Sequence, residues 1–238
     1  MPKQPPSIST GIFSDIRYFF LDKPEIATSI KFHSEEERQF YTENILQRTG
    51  IGVDTYNVLN IHRIGVEAPA TFLFEELLKW NGDSSCWPNH LAKVTLKNGR
   101  LDKIKVNLFG WPPDPFNPKK RSKGLELFHL FNLNALKIQR TPEPFDFDNA
   151  RYLLYKCSGG YPIGIFLMYV RTSIPERGEK EMSQLFMVVS FNFYGNKNLS
   201  KLNFINKTWQ AVHNRATTHI MNRFKQLCEW HFEEFTNA

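Results

Sequence analysis

The chain has 238 residues, a mass of 27.9 kDa and a formal charge of +6, with 41% hydrophobic and 23% charged residues. That length suits one large domain, or a domain with an extension, and 21 phenylalanines exclude intrinsic disorder, whose chains are poor in large apolar groups. No apolar run approaches the roughly 18 residues of a spanning helix, Met1–Pro6 lacks the apolar core of a secretory leader, and Cys86, Cys157 and Cys228 form neither a disulfide framework nor a CxxC pair, so a cytoplasmic location is expected.

In chain order, residues 1–10 are rich in Pro and Ser and are expected to fray. Ser34-Glu35-Glu36-Glu37 predicts a helix start, because Ser34 can accept the Glu37 N–H while the Glu37 side chain reaches back. Acids in the first turn suit the helix dipole and Gly50 suits a stop. The result is a helix over 34–48, with Phe40, Tyr41 and Ile45 available to dock on something. A segment of this size buries little alone, so residues 1–56 read as an N-terminal extension.

Asn57–Val66 reads as a strand, followed by Glu67-Ala68-Pro69-Ala70 and a helix to Trp80. Pro69 is expected in its first turn, where a missing N–H costs nothing, with Phe74, Leu77 and Leu78 on one face. Asn81-Gly82-Asp83 breaks that helix and leads to Cys86-Trp87-Pro88. Leu91–Lys97 and Arg100–Phe109 flank Asn98-Gly99, a dipeptide suited to a two-residue type I′ turn. In the second of these strands Ile104, Val106 and Leu108 alternate with polar residues, as in an antiparallel strand with one wet face.

Four basic residues crowd Pro118–Lys123, after the Pro-rich Trp111–Pro115, and without them the charge falls to +2. A nucleic-acid binder spreads its basic residues over one face with aromatics between them. The run therefore reads as a solvated loop, and no nucleic-acid partner is expected. Leu125–Phe131 and Leu136–Arg140 are shorter strand candidates, and Arg151–Cys157 and Ile163–Thr172 flank Gly159-Gly160 as a hairpin. Ser183–Phe193 places Leu185, Met187, Val189, Phe191 and Phe193 on one face. Ile205, Trp209, Val212, Ala216, Ile220, Phe224, Leu227, His231 and Phe235 then recur at spacings of three or four. They predict a long closing helix laid against a large surface.

A strand leading into Ala68-Pro69-Ala70, an amphipathic helix, Trp87-Pro88, an antiparallel meander and one long closing helix together resemble the START-like (SRPBCC, helix-grip) superfamily. The resemblance covers residues 57–236 and leaves out the first 56 and the basic stretch near 112–123. It implies an α+β fold in which a curved antiparallel β-sheet wraps around the C-terminal α-helix, with a cavity between them, over residues 57–238. Members include lipid and hormone binders and aromatic polyketide cyclases. The resemblance therefore implies a hydrophobic or aromatic small molecule, lipid- or polyketide-like, as the partner, with no cofactor. It leaves open a binding module or a non-covalent acid–base enzyme of cyclase or hydratase type.

Inward strand positions and the helix stripe would line such a cavity, which makes Trp87, Phe109, Tyr152, Phe166, Phe191, Phe193, Trp209 and His213 the candidate ligand-binding residues. Taken singly, the same rings read more often as filling of a core. His213 is the one weak catalytic candidate, a general base whose neutral form exists near pH 7. It lies 6 and 18 positions from His219 and His231, not the four that present two ring nitrogens together, so no metal site is expected. Asp146 and Asp148 alternate with Phe145 and Phe147 and read as turn chemistry or a paired-carboxylate site. A third reading is an interaction protein, in which residues 1–56 and the basic loop meet an acidic partner.

Overall fold

The structure is a computed structural model that describes Arg17 and residues 21–46, 58–79, 92–96, 103–108, 132–140, 151–159, 163–173, 182–192 and 203–237. The Asn98-Gly99 turn, the basic run and the Asp146/Asp148 pair lie outside those residues.

Helix α1 (Glu35–Tyr41) begins as its sequence dictates, with Ser34 Oγ accepting the Glu37 N–H at 3.1 Å. The Glu37 carboxylate reaches one residue beyond Ser34 and accepts the His33 N–H at 2.8 Å. The helix is shorter than the expected 34–48. Its α-turns end at Tyr41 and a π-helical turn, Thr42–Leu46, follows. Tyr41 and Ile45 are pressed onto the sheet, while Phe40 stays 62% exposed.

Strand β1 (Val58–Val66) leads into α2 (Ala70–Lys79), which buries Ala70, Leu73, Phe74 and Leu77. The Pro69 carbonyl accepts the Leu73 N–H at 2.9 Å, so Pro69 caps this helix instead of sitting inside its first turn. Six more strands follow: β2 (Ala92–Leu96), β3 (Lys103–Leu108), β4 (Asn132–Arg140), β5 (Arg151–Gly159), β6 (Ile163–Thr172) and β7 (Ser183–Asn192). The long helix α3 (Asn203–Asn237) closes the chain. The α+β class and the closing helix match the expectation. Where two short strands were expected, the second is the longer β4, and residues 125–131 lie outside the described set.

The strands make one antiparallel sheet in the order β1-β7-β6-β5-β4-β3-β2. The last pair of the β2–β3 ladder, Leu96 with Ile104, leaves seven residues between its members. Strand β4 carries one extra residue between Lys137 and Gln139, a bulge of the kind that bends a strand. Among the described residues no helix is long and apolar enough to cross a membrane.

Both faces of β1 and β5–β7 are covered. On one face Ile64, Val66, Leu153, Tyr155, Met168, Val170, Leu185 and Met187 pack on Leu73, Phe74 and Leu77 of α2 and on Ile220, Met221, Phe224 and Cys228 of α3. On the other, Leu59, Ile61, Leu154, Ile165, Leu167, Tyr169, Phe186 and Val188 lie beneath Ile30, Phe32, Tyr41 and Ile45. The segment leading to α1 also closes the outer edge of β1. Ile30 N donates to Ile61 O and Arg63 N to Thr28 O, each at 2.9 Å. An edge strand otherwise presents unpaired N–H and C=O groups to any passing chain.

Candidate functional site

Strand pairing sets side chains in rows across the helix-facing side of the sheet, two residues apart along each strand. One row is Ile64, Leu185, Val170 and Arg151, and the next is His62, Met187, Met168 and Leu153. Both rows are fully buried. The third row is Asn60, Val189, Phe166 and Tyr155. Here Val189 and Phe166 are only half-buried, although Asn60 and Tyr155 are covered. The core is therefore shut over two rows and loosens at the third.

A line of polar groups runs beside these rows, where β1 meets α3. Gln210, Asn214, Thr218 and Asn222 recur every four residues, so they share one helix face. Gln210 Nε2 donates to Asn60 Oδ1 at 2.9 Å, and Asn214 Oδ1 lies 3.0 Å from His62 Nε2. Thr28 Oγ1 lies 2.9 Å from His62 Nδ1 and donates to Thr218 Oγ1 at 2.9 Å. The Asn222 amide clasps Ile26, accepting from its N–H at 2.9 Å and donating to its carbonyl at 2.8 Å. Farther along, Lys225 Nζ donates to Gly65 O at 3.0 Å, and Glu229, paired with Lys225, accepts the Glu67 N–H.

These bonds fix the proton positions. The Asn214 carbonyl can only accept, so the Thr218 hydroxyl donates to it at 2.7 Å. Thr218 then accepts from Thr28, whose single hydroxyl proton is thereby used. The third bond must come from His62, whose Nδ1 carries a proton. In the neutral ring Nε2 is then an acceptor and calls for the Asn214 amide to present its N–H. With Oδ1 in that place, the ring must be protonated. Burial drives the His62 pKa down to about 4, opposed by the bond to Asn214. With the ring neutral near pH 7, the arrangement that satisfies Nε2 is an Asn214 amide presenting its N–H there.

His213 follows on α3. Burial, and then the neighbouring His62, lower its pKa to about 4 as well. His219 is lowered to about 4 by burial and then by Arg215, with Asp22 opposing. Arg151, buried on the helix side two rows from Asn60, is lowered by burial and raised by Glu75 of α2. A histidine this weakly basic serves at pH 7 as a hydrogen-bonding group more readily than as a proton acceptor.

The expected lining residues divide. Phe166 lies on the helix side, its ring stacked on Tyr155 at 5.9 Å, and His213 stands on α3 beside the polar line. Tyr152 is corrected: it packs on the outer face with Leu154, under the N-terminal segment. Alternation along β5 sends Arg151, Leu153 and Tyr155 to the helix side and Tyr152 away from it. Phe191 pairs with Val58 in β7, and Trp209 lies in the first half of α3. Trp87, Phe109 and Phe193 fall outside the described residues. The sequence reading passed over Asn60, His62, Gln210 and Asn214. Their signal was present, as polar residues in phase with Ile64 and Val66 on β1 and as a polar row at four-residue spacing on α3.

No family model matches this chain, and no curated protein matches it in sequence. Among solved structures, the chain is similar to a polyketide-cyclase-like protein of Corynebacterium glutamicum, with 12% identity over 75% of this chain and 92% of that one and a TM-score of 0.32. It is also similar to a point mutant of norcoclaurine synthase from a Thalictrum species, solved with a transition-state analogue, with 11% identity, 69% and 94% coverage and a TM-score of 0.32.

Proposed function

We propose that the chain binds a hydrophobic or aromatic small molecule, lipid- or polyketide-like, between its sheet and the closing helix α3. The observation that carries this is the third row, where half-buried Phe166 and Val189 sit beside buried Asn60 after two rows of closed core. An apolar surface with a few orienting polar groups is the usual composition of a ligand pocket. In this reading the sheet curves around α3, consistent with the bulge in β4, and Trp87, Phe109, Phe191, Phe193 and Trp209 complete the lining with His213. Residues 57–238 form the helix-grip unit and 1–56 an extension laid over it, in a chain working in the cytoplasm without a cofactor or a nucleic-acid partner. Native mass spectrometry of the purified protein should show a co-purifying apolar ligand, and a panel of apolar ligands should raise its melting temperature. No adduct, and no shift with any of them, would sink the proposal.

An acid–base enzyme of cyclase or hydratase type is the second reading, and the adjacent His62 and His213 favour it. It requires that a bound substrate raise the His213 pKa from about 4 towards neutrality. A pH profile of turnover unchanged in His213→Gln would end the role of His213, and no turnover of any candidate substrate would end the reading. The interaction reading has less support, because Ile26, Ile30, Phe32, Tyr41 and Ile45 of the N-terminal segment are spent on the sheet and the closing helix, although Phe40 stays exposed. Partner capture that weakens steeply with salt would restore it.

A further inference from the structure

Asn60 is 4% exposed, yet only part of its amide is used. Its Oδ1 accepts from Gln210, whereas its Nδ2 has no hydrogen-bond partner among the described residues. The other polar side chains facing it along the seam, His62, Asn214, Thr218 and Asn222, all bond within the protein. A buried donor left unmade is costly, and a branched apolar residue at this position of β1 would avoid the cost. The orphan also sits in the row that loosens, level with Phe166 and Val189.

We propose that Asn60 Nδ2 is the group that reads the ligand, donating to a neutral acceptor oxygen, such as a ketone carbonyl, carried on an aromatic or aliphatic body that lies over Phe166. This rests on the ligand-binding reading above and adds to it the functional group recognised. A neutral oxygen fits better than a carboxylate or phosphate. Among the described residues the basic groups on this stretch of the seam are His62 and His213, both kept uncharged near pH 7 by burial, and the Tyr155 phenol of the same row carries no positive charge either. Buried Arg151 lies two rows away, beside α2. Asn60 already has its acceptor engaged, so the amide discriminates for an oxygen and against a donor.

The test uses the full chain and a matched probe pair, 2-acetylnaphthalene and 2-isopropenylnaphthalene, which share a shape and differ in the carbonyl oxygen. Titration calorimetry should show the acetyl probe binding the wild type at least about tenfold tighter. In Asn60→Leu that preference should vanish while the isopropenyl probe still binds. Should Asn60→Leu not fold, Asn60→Val takes its place, and the wild-type ratio decides on its own. Equal binding of the two probes by the wild type would overturn the Asn60 assignment, leave the pocket standing and mark Nδ2 as the partner of a buried water. A preference that survives in Asn60→Leu would overturn it too. If neither probe binds, the pocket reading itself fails, and the assignment with it.

Discussion

His62 shows how far one side chain can be worked out from its neighbours. The relay from the Asn214 carbonyl through Thr218 and Thr28 leaves one protonation pattern, with the proton on Nδ1. Nitrogen NMR at pH 7 should therefore find a neutral His62 with Nδ1–H, and a neutral ring protonated on Nε2 would refute the relay. Thr218→Val removes both of its bonds at a buried position and should destabilise the fold by roughly 1–3 kcal/mol, read by chemical denaturation. The depressed pKa carries a pH dependence of definite sign. Above about 6.5, folded and unfolded chains are both neutral at His62 and stability is full. Between 6.5 and about 4 the unfolded chain binds a proton that the folded chain refuses, so stability falls as pH falls. Below 4 the loss levels off. For His62 alone the span is at most about 3 kcal/mol, and His213 and His219 act in the same direction. Denaturation midpoints measured from pH 7.5 to 4 should fall, and fall less in His62→Gln.

At the scale of elements, the segment from Asp22 to Ile30 is a strap tied to α3 at one end and to the β1 edge at the other. Arg215 Nη2 donates to the Asp22 carbonyl at 3.1 Å, Asn222 clasps Ile26, and residues 28–30 pair with β1. Removing the clasp with Asn222→Ala should loosen the strap without unfolding the sheet. Hydrogen exchange should speed at the Ile26, Ile30 and Arg63 amides and stay slow at Leu167 and Val188; slow exchange at all five would show the clasp to be dispensable. The boundaries of most elements were legible because their signals are local: the Ser34 cap, the Pro69 start, the apolar recurrence along α3. The phase of β5 was not. Tyr152, Leu153, Leu154 and Tyr155 are all large and apolar, because the N-terminal segment covers the face that would otherwise be polar. The charges that flank this run give opposite directions, since Lys156 is exposed in phase with Tyr152 whereas Arg151 is buried on the helix side, so alternation leaves the face of Tyr152 open. The polar row on α3 went unread for the opposite reason. The apolar stripe of α3 masks the polar row beside it, which here bonds Asn60 Oδ1 through Gln210 and His62 Nε2 through Asn214.

At the largest scale, strands β1 and β5–β7 are a shared middle layer with α2 and α3 on one side and residues 30–45 on the other. The second side contributes to stability as a core does, so Ile45→Ala, at a side chain 3% exposed, should cost about 2–4 kcal/mol and shift the thermal midpoint accordingly. A change within about 0.5 kcal/mol would mean that the segment is merely draped over the sheet. The strand order has a temporal consequence. Strand β1 pairs with β7, more than a hundred residues later in the chain, and the polar row that bonds Asn60 Oδ1 and His62 Nε2 comes later still. On a ribosome, β1 is made first among the strands and then waits for more than a hundred further residues before it has a neighbour on its inner edge. For that interval a strand carrying Leu59, Ile61, Ile64 and Val66 is exposed to other chains. The pairing of the first strand with the last thus makes folding a late event with a slow, non-local step. It also gives chaperones their longest opportunity before the final 35-residue helix arrives.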